Sequence, residues 1–244
     1  MPAKKSRASR GFTLVELLAV VCILAVLLSL GSLAFSQAVM AGKRAKCASN
    51  MRQIGLALMQ YAADNDGRLP PTTHSTGNSV IKVNGQVIST IKYSWIYVLA
   101  DYLDHIDEIR VCPADEKERR DAILRLHATS YVLNNLIFDP GEYDPHYNRQ
   151  QLIPYPSRTM IMFITNREIS RTWDHAHCNE WKNWASIVTD IAVDRHRVGP
   201  RDPGRLNGSS NYLFADGHVE NITARDLKKM LDSGINPGAV PQVP

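Results

Sequence analysis

The sequence predicts an α+β fold, in which one long N-terminal helix packs on a small antiparallel β-sheet domain. The first observation is a long stretch with helical spacing of apolar residues and no proline between Pro2 and Pro70. The second is Asn84-Gly85 between two β-branched runs, which is a strong hairpin pattern. The third is another tight turn, Asp216-Gly217, between two apolar runs. Helical and strand patterns are therefore segregated along the chain, as in α+β proteins.

The first half of the predicted helix is apolar enough to cross a bilayer. Leu14 to Phe35 carries one charged residue, Glu16, and a helix of about 20 apolar residues spans the hydrocarbon core. Basic residues precede this run and place the N-terminus in the cytoplasm. They are Lys4, Lys5, Arg7 and Arg10. We expect a single-pass protein of the inner membrane whose C-terminal domain is periplasmic.

The second half of the helix has one apolar face. From Ala45 to Ala62 small and apolar residues recur at three- and four-residue spacing, which is typical of an amphipathic helix. They are Ala48, Met51, Gly55, Leu58 and Ala62. Asp64-Asn65-Asp66-Gly67 then ends the helix with turn-forming residues. The prediction is one helix from about Phe12 to Ala63, roughly 75 Å long at about 1.5 Å per residue.

Shorter elements are predicted after residue 65. The predicted strands are Val80–Val83, Gln86–Thr90, Ser130–Phe138, Thr159–Thr165, Asn211–Phe214 and His218–Ile222. The predicted helices are Trp95–Leu103, Glu116–His127 and a segment that Thr223 caps and that ends at Leu231. Three arginines of the second helix are expected to face solvent. They are Arg119, Arg120 and Arg125.

Glu16 is the informative residue of the apolar run. A carboxylate at bilayer depth costs roughly 2.5 kcal/mol or more, so it is expected to have a partner or a function. No basic residue lies between Glu16 and Lys43. The partner is therefore expected outside this segment, unless the acid stays protonated. Cleavage between Gly11 and Phe12 would create an ammonium group at Phe12, which could neutralise Glu16 of a neighbouring copy.

The segment from Gly11 through Phe12 and Glu16 to Leu18 resembles the class III signal of type IV prepilins and type II secretion pseudopilins. The resemblance implies that a prepilin peptidase cuts between Gly11 and Phe12 and methylates the new N-terminus of Phe12. It also implies that Glu16 guides assembly with identical and related pilin subunits at an inner-membrane assembly platform. A secretory signal peptide ending near Ala41, a lipoprotein signal at Cys22 and a plain membrane anchor are the alternatives.

These expectations define a domain organisation. Residues 1–11 form the leader, and residues 12–64 form the helix, with a transmembrane half at 12–36 and an amphipathic half at 37–64. Residues 65–235 form a pilin-like globular domain, and residues 236–244 form a flexible tail. The expected function is a structural subunit of a type II secretion pseudopilus or a type IV pilus-like filament, and not an enzyme.

Two further segments are similar to the large pilin-like families of planctomycetes. One runs from Cys47 through the end of the helix to Pro70, and the other from Tyr212 through Asp216-Gly217 to Val219. In those families a histidine, nine intervening residues and Asp-Gly form a C-terminal hallmark. Here position 206 is Leu206, and His196 is the nearest upstream histidine. An insertion of residues 199–208, which are rich in Pro, Gly and Arg, would explain this longer spacing.

The charge of the chain gives no support to nucleic-acid binding. The net charge is +4, and the leader alone carries four positive charges and no acid. The mature chain therefore has no net excess of positive charge to supply a basic patch. The expected partners are the lipid bilayer and proteins.

The cysteines allow at most one disulfide outside the membrane. Cys22 lies in the apolar run, which leaves Cys47, Cys112 and Cys178 in a compartment where disulfides form. Their connectivity cannot be deduced from the sequence, and free buried cysteines are an equal alternative. The candidate bridge is Cys47 with Cys112.

Two groups of side chains are of types that bind metal ions. His175, His177 and Cys178 have side chains that suit zinc, but a polar loop packed by the nearby tryptophans is the favoured interpretation. Asp64 and Asp66 are similar to calcium-loop residues, and the resemblance to pseudopilins leaves a structural calcium ion near Asp64 or Asp216 open. No other cofactor is expected.

Two functions of other classes remain as alternatives. One is a membrane-anchored extracytoplasmic binding protein that does not polymerise and holds a ligand within residues 130–235. The other is a membrane-tethered metalloenzyme that uses His175, His177 and Cys178. Neither a nucleophile elbow nor a phosphate-binding loop occurs in the sequence.

Overall fold

The computed structural model describes residues 12–73, 81–83, 86–88, 94–139, 147–169 and 173–241. The described chain combines helices with two sheets, which confirms the predicted α+β class. It divides into two compact units between Val39 and Met40. The second unit contains the C-terminal part of the long helix and all of the strands.

The long helix, α1, runs over Leu14–Asp64 and has 51 residues. It ends because Asp66 and Gly67 adopt positive φ angles of 54° and 78°, while the Gly67 N–H donates to the Ala62 carbonyl at 2.7 Å. The predicted helix and its turn-forming end are therefore confirmed. Within the described residues, no helix is both long and apolar enough to cross a membrane.

A separate two-stranded hairpin follows the helix. Strands β1 (Ile81–Val83) and β2 (Gln86–Ile88) pair antiparallel, with Val83 opposite Gln86. This register confirms the predicted hairpin, whose turn residues Asn84 and Gly85 lie outside the described residues.

Short helices connect this hairpin to the main sheet. Helix α2 covers Trp95–Val98, a 3₁₀ turn covers Asp101–Leu103, and a second 3₁₀ turn covers Asp107–Arg110. Helix α3 covers Lys117–Leu126. The prediction that Arg119 of α3 simply faces solvent is wrong. Its Nε lies 3.2 Å from an oxygen of the buried Asp115.

The main sheet has five strands in the order β5-β3-β4-β6-β7. The strands are β3 (Tyr131–Asn134), β4 (Met160–Ile164), β5 (His175–Ala176), β6 (Ser209–Phe214) and β7 (Val219–Thr223). Three of the pairs are antiparallel, but β5 pairs with β3 in parallel. The expected antiparallel sheet is therefore a mixed sheet with one parallel edge strand.

The predicted strand Ser130–Phe138 is shorter than expected. Its second half is a helical turn, α4 (Asn135–Phe138), because the Asn134 side-chain oxygen accepts from the Leu136 N–H at 3.0 Å and caps that turn. Helices α5 (Trp184–Asp190) and α6 (Ala224–Asp232) complete the fold. Thr223 caps α6 as predicted, since its hydroxyl accepts from the Asp226 N–H.

Strands β3, β4 and β6 of the main sheet are buried on both faces, whereas the edge strand β7 is largely exposed. One core cluster joins α1 residues Met51, Ile54 and Leu58 to Leu133 and Leu213 of the sheet. Gly55 allows this close approach, because a Cβ there would lie 3.1 Å from a methyl group of Leu213. Alternate strand residues enter a second cluster with α5 and α6. That cluster includes Val132, Phe163, Trp181, Ile187, Tyr212 and Leu227.

The C-terminal segment differs from the expected loose tail over residues 236–241. Val240 is 7% exposed and belongs to the first core cluster. The Asn236 side chain donates to the Cys178 carbonyl at 2.8 Å, and the Asn134 side chain donates to the Gly238 carbonyl at 2.8 Å. The side-chain amides of Asn134 and Asn236 thus hold this segment in place. The Pro and Gly residues of the segment do not reveal these contacts.

Gly238→Ala is expected to destabilise the protein by about 1–3 kcal/mol through overpacking. A Cβ at position 238 would lie 2.6 Å from Cβ of Cys178 and 2.9 Å from the Trp181 ring. Gly42→Ala is the matched control, since nothing lies within 4 Å of a Cβ there and alanine favours the helix by about 1 kcal/mol. Urea unfolding of both variants measures the difference. Equal stability of the two variants would show that the C-terminal segment is not packed.

Candidate functional site

Glu16 has a hydrogen-bond partner at the start of its own helix. The Thr13 N–H and hydroxyl donate to Glu16 Oε2 at 2.9 and 2.8 Å, and the Glu16 N–H donates to the Thr13 hydroxyl at 3.3 Å. This reciprocal pattern is a capping box. Thr13 is uncharged, so the expectation that the charge partner of Glu16 lies outside this segment stays a prediction. The spacing Thr-x-x-Glu was visible in the sequence and indicates the cap.

Apolar side chains of the first unit are exposed along the helix. Phe12 is 78% exposed, Leu14 81%, Val15 72% and Leu28 73%. Exposed apolar surface of this extent marks an interaction with lipid or protein. The first unit therefore presents a surface that is suited to a membrane or to other helices.

The Asp216-Gly217 turn connects β6 to β7. The His218 N–H donates to Asp216 Oδ1 at 3.1 Å, and Nδ1 of the His218 ring lies 2.5 Å from the same oxygen. Burial acts to raise the pKa of the Asp216 carboxyl, but the hydrogen bonds of His218 outweigh it and lower that pKa. Gly217 has φ +89°, and a Cβ there would lie 2.8 Å from Met59 of α1. Glycine thus lets the hairpin turn pack against the helix.

His196 lies beside the cysteines that the sequence singled out. The backbone N–H of His196 donates to the Ser209 carbonyl at 2.9 Å, and Nε2 of its ring lies 3.9 Å from Cys112 Sγ. The structure thus pairs Asp216 with His218, while His196 belongs to a different cluster. Sequence reasoning noted His196 only for its altered spacing to Asp216.

Cys47 and Cys112 lie close together as free, fully buried thiols. Together with His196 they offer three ligand atoms that all lie within 4.8 Å of one another. Burial raises the pKa of the Cys112 thiol. Burial also opposes ionisation of Cys47, but hydrogen bonds from Cys112, Tyr131 and Asn211 lower its pKa. The two cysteines of the candidate disulfide are therefore neighbours in the structure. The disulfide itself stays a prediction.

His175, His177 and Cys178 do not converge on one point. His175 Nδ1 lies 2.9 Å from Asp174 Oδ1, and the two histidine rings pack edge to face with centroids 4.8 Å apart. Cys178 is buried, and its N–H donates to the Asn135 side chain at 2.8 Å. In the part of the chain that the structure describes, the converging Cys and His donors are those at positions 47, 112 and 196.

The two histidines have pKa shifts of opposite direction. Burial acts to lower the pKa of His175, but the hydrogen bond and charge of Asp174 outweigh it, so the pKa lies above its ordinary value. Burial and the neighbouring His175 lower the pKa of His177. His175 is therefore positioned as the positive partner of a buried carboxylate.

The candidate calcium positions have other contacts. Asp64 accepts from the Tyr102 hydroxyl at 3.0 Å, and Asp66 adopts a positive φ in the turn after α1. Within the described residues, neither Asp64 nor Asp216 belongs to a group of three acidic, His or Cys side chains that could hold an ion. The geometry at Asp64 and Asp66 is that of a helix-ending turn.

Four buried aspartates organise the polar part of the second unit. Asp115, Asp174, Asp190 and Asp194 are each at most 2% exposed. Arg195 and Arg119 contact Asp115, and Arg167 contacts Asp190. Arg201 and Arg205, from the segment 199–208, contact Asp194 at 3.1 and 2.6 Å. This segment therefore supplies positive charges that a buried carboxylate needs.

Comparison with known proteins agrees with this structure. A family described as "Prokaryotic N-terminal methylation motif" matches residues 6–32. This motif overlaps the first part of α1 and supports a similarity to type IV pilin-like proteins. A family described as "Protein of unknown function (DUF1559)" matches residues 37–130, which include the second half of α1, Cys47 and Cys112. No curated protein and no solved structure matches the chain.

Proposed function

We propose that this chain is a structural pilin-like subunit that assembles into a filament and catalyses no reaction. A prepilin peptidase cuts it between Gly11 and Phe12 and methylates Phe12. Residues 12–36 then hold it in the inner membrane until the assembly platform adds it to the filament. The proposed filament is a type II secretion pseudopilus, and a type IV pilus is the alternative.

One observation carries this proposal. The N-terminal methylation motif at residues 6–32 overlaps a 51-residue helix whose first turns expose large apolar side chains. A lone helix with that surface is unstable in water, whereas lipid or neighbouring helices would cover it. The apolar segment from Leu14 to Phe35 supports a membrane environment before assembly, in which lipid covers this surface. After assembly, packed helices of other subunits would cover it.

Glu16 has two separable roles in this proposal. Its carboxylate caps α1 through Thr13, as the structure shows. Thr13 carries no charge, so the cap leaves the negative charge to be balanced elsewhere. In the filament, the ammonium group of Phe12 in a neighbouring subunit balances the negative charge of Glu16. This pairing favours the assembled filament over a single subunit in the membrane.

Glu16→Gln separates the two roles, because glutamine also serves in a capping box but carries no charge. We expect Glu16→Gln to insert and to be cut normally, while the filament fraction sheared from cells falls by at least about tenfold, equivalent to about 1.4 kcal/mol. Glu16→Ala should lose both the cap and assembly. Cys22→Ser, in the same apolar segment, is the control and should assemble normally.

The outcomes of this experiment are distinct. If Glu16→Gln assembles like the wild type while Glu16→Ala does not, Glu16 acts only as a cap and the charge pairing is wrong. If the wild type and both variants yield no sheared filament fraction, the filament proposal fails and a non-polymerising anchored protein remains.

One observation favours that second function, an extracytoplasmic binding protein. A groove of about 660 Å³ lies between β6, β7, α6 and the C-terminal segment. Apolar side chains line much of it, among them Met160, Phe214, Ile222, Met230 and Val240. Its volume lies within the range of small-molecule pockets, about 300–1,000 Å³.

A further inference from the structure

A cluster of three metal-binding side chains lies outside the features that the proposed function uses. Cys47 comes from α1, Cys112 follows the 3₁₀ turn at Asp107–Arg110, and His196 follows α5. Their ligand atoms lie within 4.8 Å of one another, and Cys112 Sγ lies 3.9 Å from His196 Nε2. Three segments far apart in sequence thus meet at one point in the second unit.

The backbone of each of these segments is held in place. The Cys112 N–H donates to the Ser130 hydroxyl at 2.8 Å, and the His196 N–H donates to the Ser209 carbonyl at 2.9 Å. Cys47 lies within α1. The cluster is therefore preorganised, which a structural metal site requires.

The cluster leaves one polar atom unsatisfied. His196 is 5% exposed, and its Nδ1 has no hydrogen-bond partner among the described residues. Nε2, the other ring nitrogen, lies 3.9 Å from Cys112 Sγ, which is too long for a strong hydrogen bond. A ligand at Nε2 would therefore give this buried ring a strong contact, whereas Nδ1 would still need a partner of its own, such as a water molecule.

We propose that Cys47, Cys112 and His196 bind one thiophilic d¹⁰ cation, Zn²⁺ or Cu⁺, in a buried structural site. Thiolate and imidazole donors select these ions. Ideal Zn–S and Zn–N bonds of about 2.3 and 2.1 Å separate neighbouring ligand atoms by about 3.6–3.8 Å. The observed 3.9 Å between Cys112 and His196 is close to that spacing. Binding releases the two thiol protons to solvent, and two thiolates neutralise Zn²⁺.

Further contacts support thiolates at this position. The Tyr131 hydroxyl lies 3.5 Å from Cys47 Sγ and is oriented to donate to it. Donors to the sulfur stabilise a metal-bound thiolate. Cu⁺ is satisfied by the three side chains, whereas Zn²⁺ needs a fourth ligand, such as water or the Tyr131 hydroxyl.

A Cys47–Cys112 disulfide is the competing state of the same two sulfurs. It would involve two of the three side chains and would leave His196 without a partner at Nε2. Because the metal and the disulfide exclude each other, one measurement on the intact chain decides between them.

The experiment uses the full chain, purified in detergent without a histidine tag and without chelator. Elemental analysis after gel filtration is expected to find about one equivalent of zinc or copper per chain. Anaerobic titration of the apo protein with Zn²⁺ alone and with Cu⁺ alone then identifies the preferred ion. His196→Ala should weaken binding by at least about tenfold, while Cys22→Ser should bind like the wild type.

Two results would overturn the proposal. One is a peptide that links Cys47 to Cys112 in the wild-type protein, found after alkylation in denaturant without reductant. The other is an apo protein that retains neither Zn²⁺ nor Cu⁺ at micromolar concentration while both cysteines are alkylated as thiols. These results do not depend on whether any variant folds, and they leave the filament proposal untouched.

Discussion

Asp194→Ala is expected to destabilise the second unit by about 3–5 kcal/mol, because it leaves several arginines clustered without their carboxylate. Asp194 is fully buried. Arg205 contacts both of its oxygens, at 2.6 and 2.9 Å, and Arg201 contacts one at 3.1 Å. Arg205 is only 11% exposed, so water cannot replace the lost partner.

Unfolding of the full chain by urea, followed by tryptophan fluorescence, measures this effect. Asp232→Ala is the control, since Asp232 forms an exposed ion pair with Lys228 at 2.7 Å and should change stability by less than about 1 kcal/mol. If Asp194→Ala is as mild as this control, the ion pairs between Asp194 and the arginines of the segment 199–208 do not contribute measurably to the stability of the fold.

Asp174→Ala is expected to cost about 3–5 kcal/mol for a related reason. The Asp174 carboxylate is fully buried and accepts from the Thr73 N–H, the Thr73 hydroxyl and the Ser94 hydroxyl. Its Oδ1 also lies 2.9 Å from His175 Nδ1. Removing it deletes an acceptor that buried donors of three chain segments share.

The effect of Asp174→Ala should depend on pH. The raised pKa of His175 stabilises the wild type at pH values below the unfolded-state pKa, and this contribution is lost as the pH rises through the folded-state pKa. Asp174→Ala removes the hydrogen bond and the charge that raise this pKa, so burial opposes protonation of His175 more strongly in the variant. The loss of stability should therefore be larger at pH 5.5 than at pH 8.5.

Asp101→Ala is the matched control for Asp174, because Asp101 forms an exposed pair with His105 at 3.1 Å. It should change stability little at either pH. A loss for Asp174→Ala that does not vary between the two pH values would show that His175 is neutral in the wild type.

The sequence predicted the secondary-structure elements that are specified by residues close together in the chain. The long helix follows from an unbroken apolar and amphipathic pattern, and its end follows from Asp64 to Gly67. The two hairpins follow from Asn-Gly and Asp-Gly turns, and the start of α6 follows from the Thr223 cap. Each of these patterns lies within a few residues of the structure that it forms.

The rest depends on contacts between distant segments. The parallel pairing of β5 with β3 needs a long connection that no local pattern specifies. The burial of Asp174 and Asp194 depends on donors from other loops, so these residues resemble surface aspartates in the sequence. The same reason hid the candidate site: Cys112 and His196 are 84 residues apart, and only the fold brings them together.

Mass spectrometry of the mature N-terminus tests the central proposal most directly. In cells that contain a prepilin peptidase, we predict a chain that begins at Phe12 and carries one methyl group on its amine. That product supplies the positive charge that Glu16 of the next subunit requires. A mature chain that still begins at Met1, or that begins after Ala41, lacks this amine and would contradict the filament proposal.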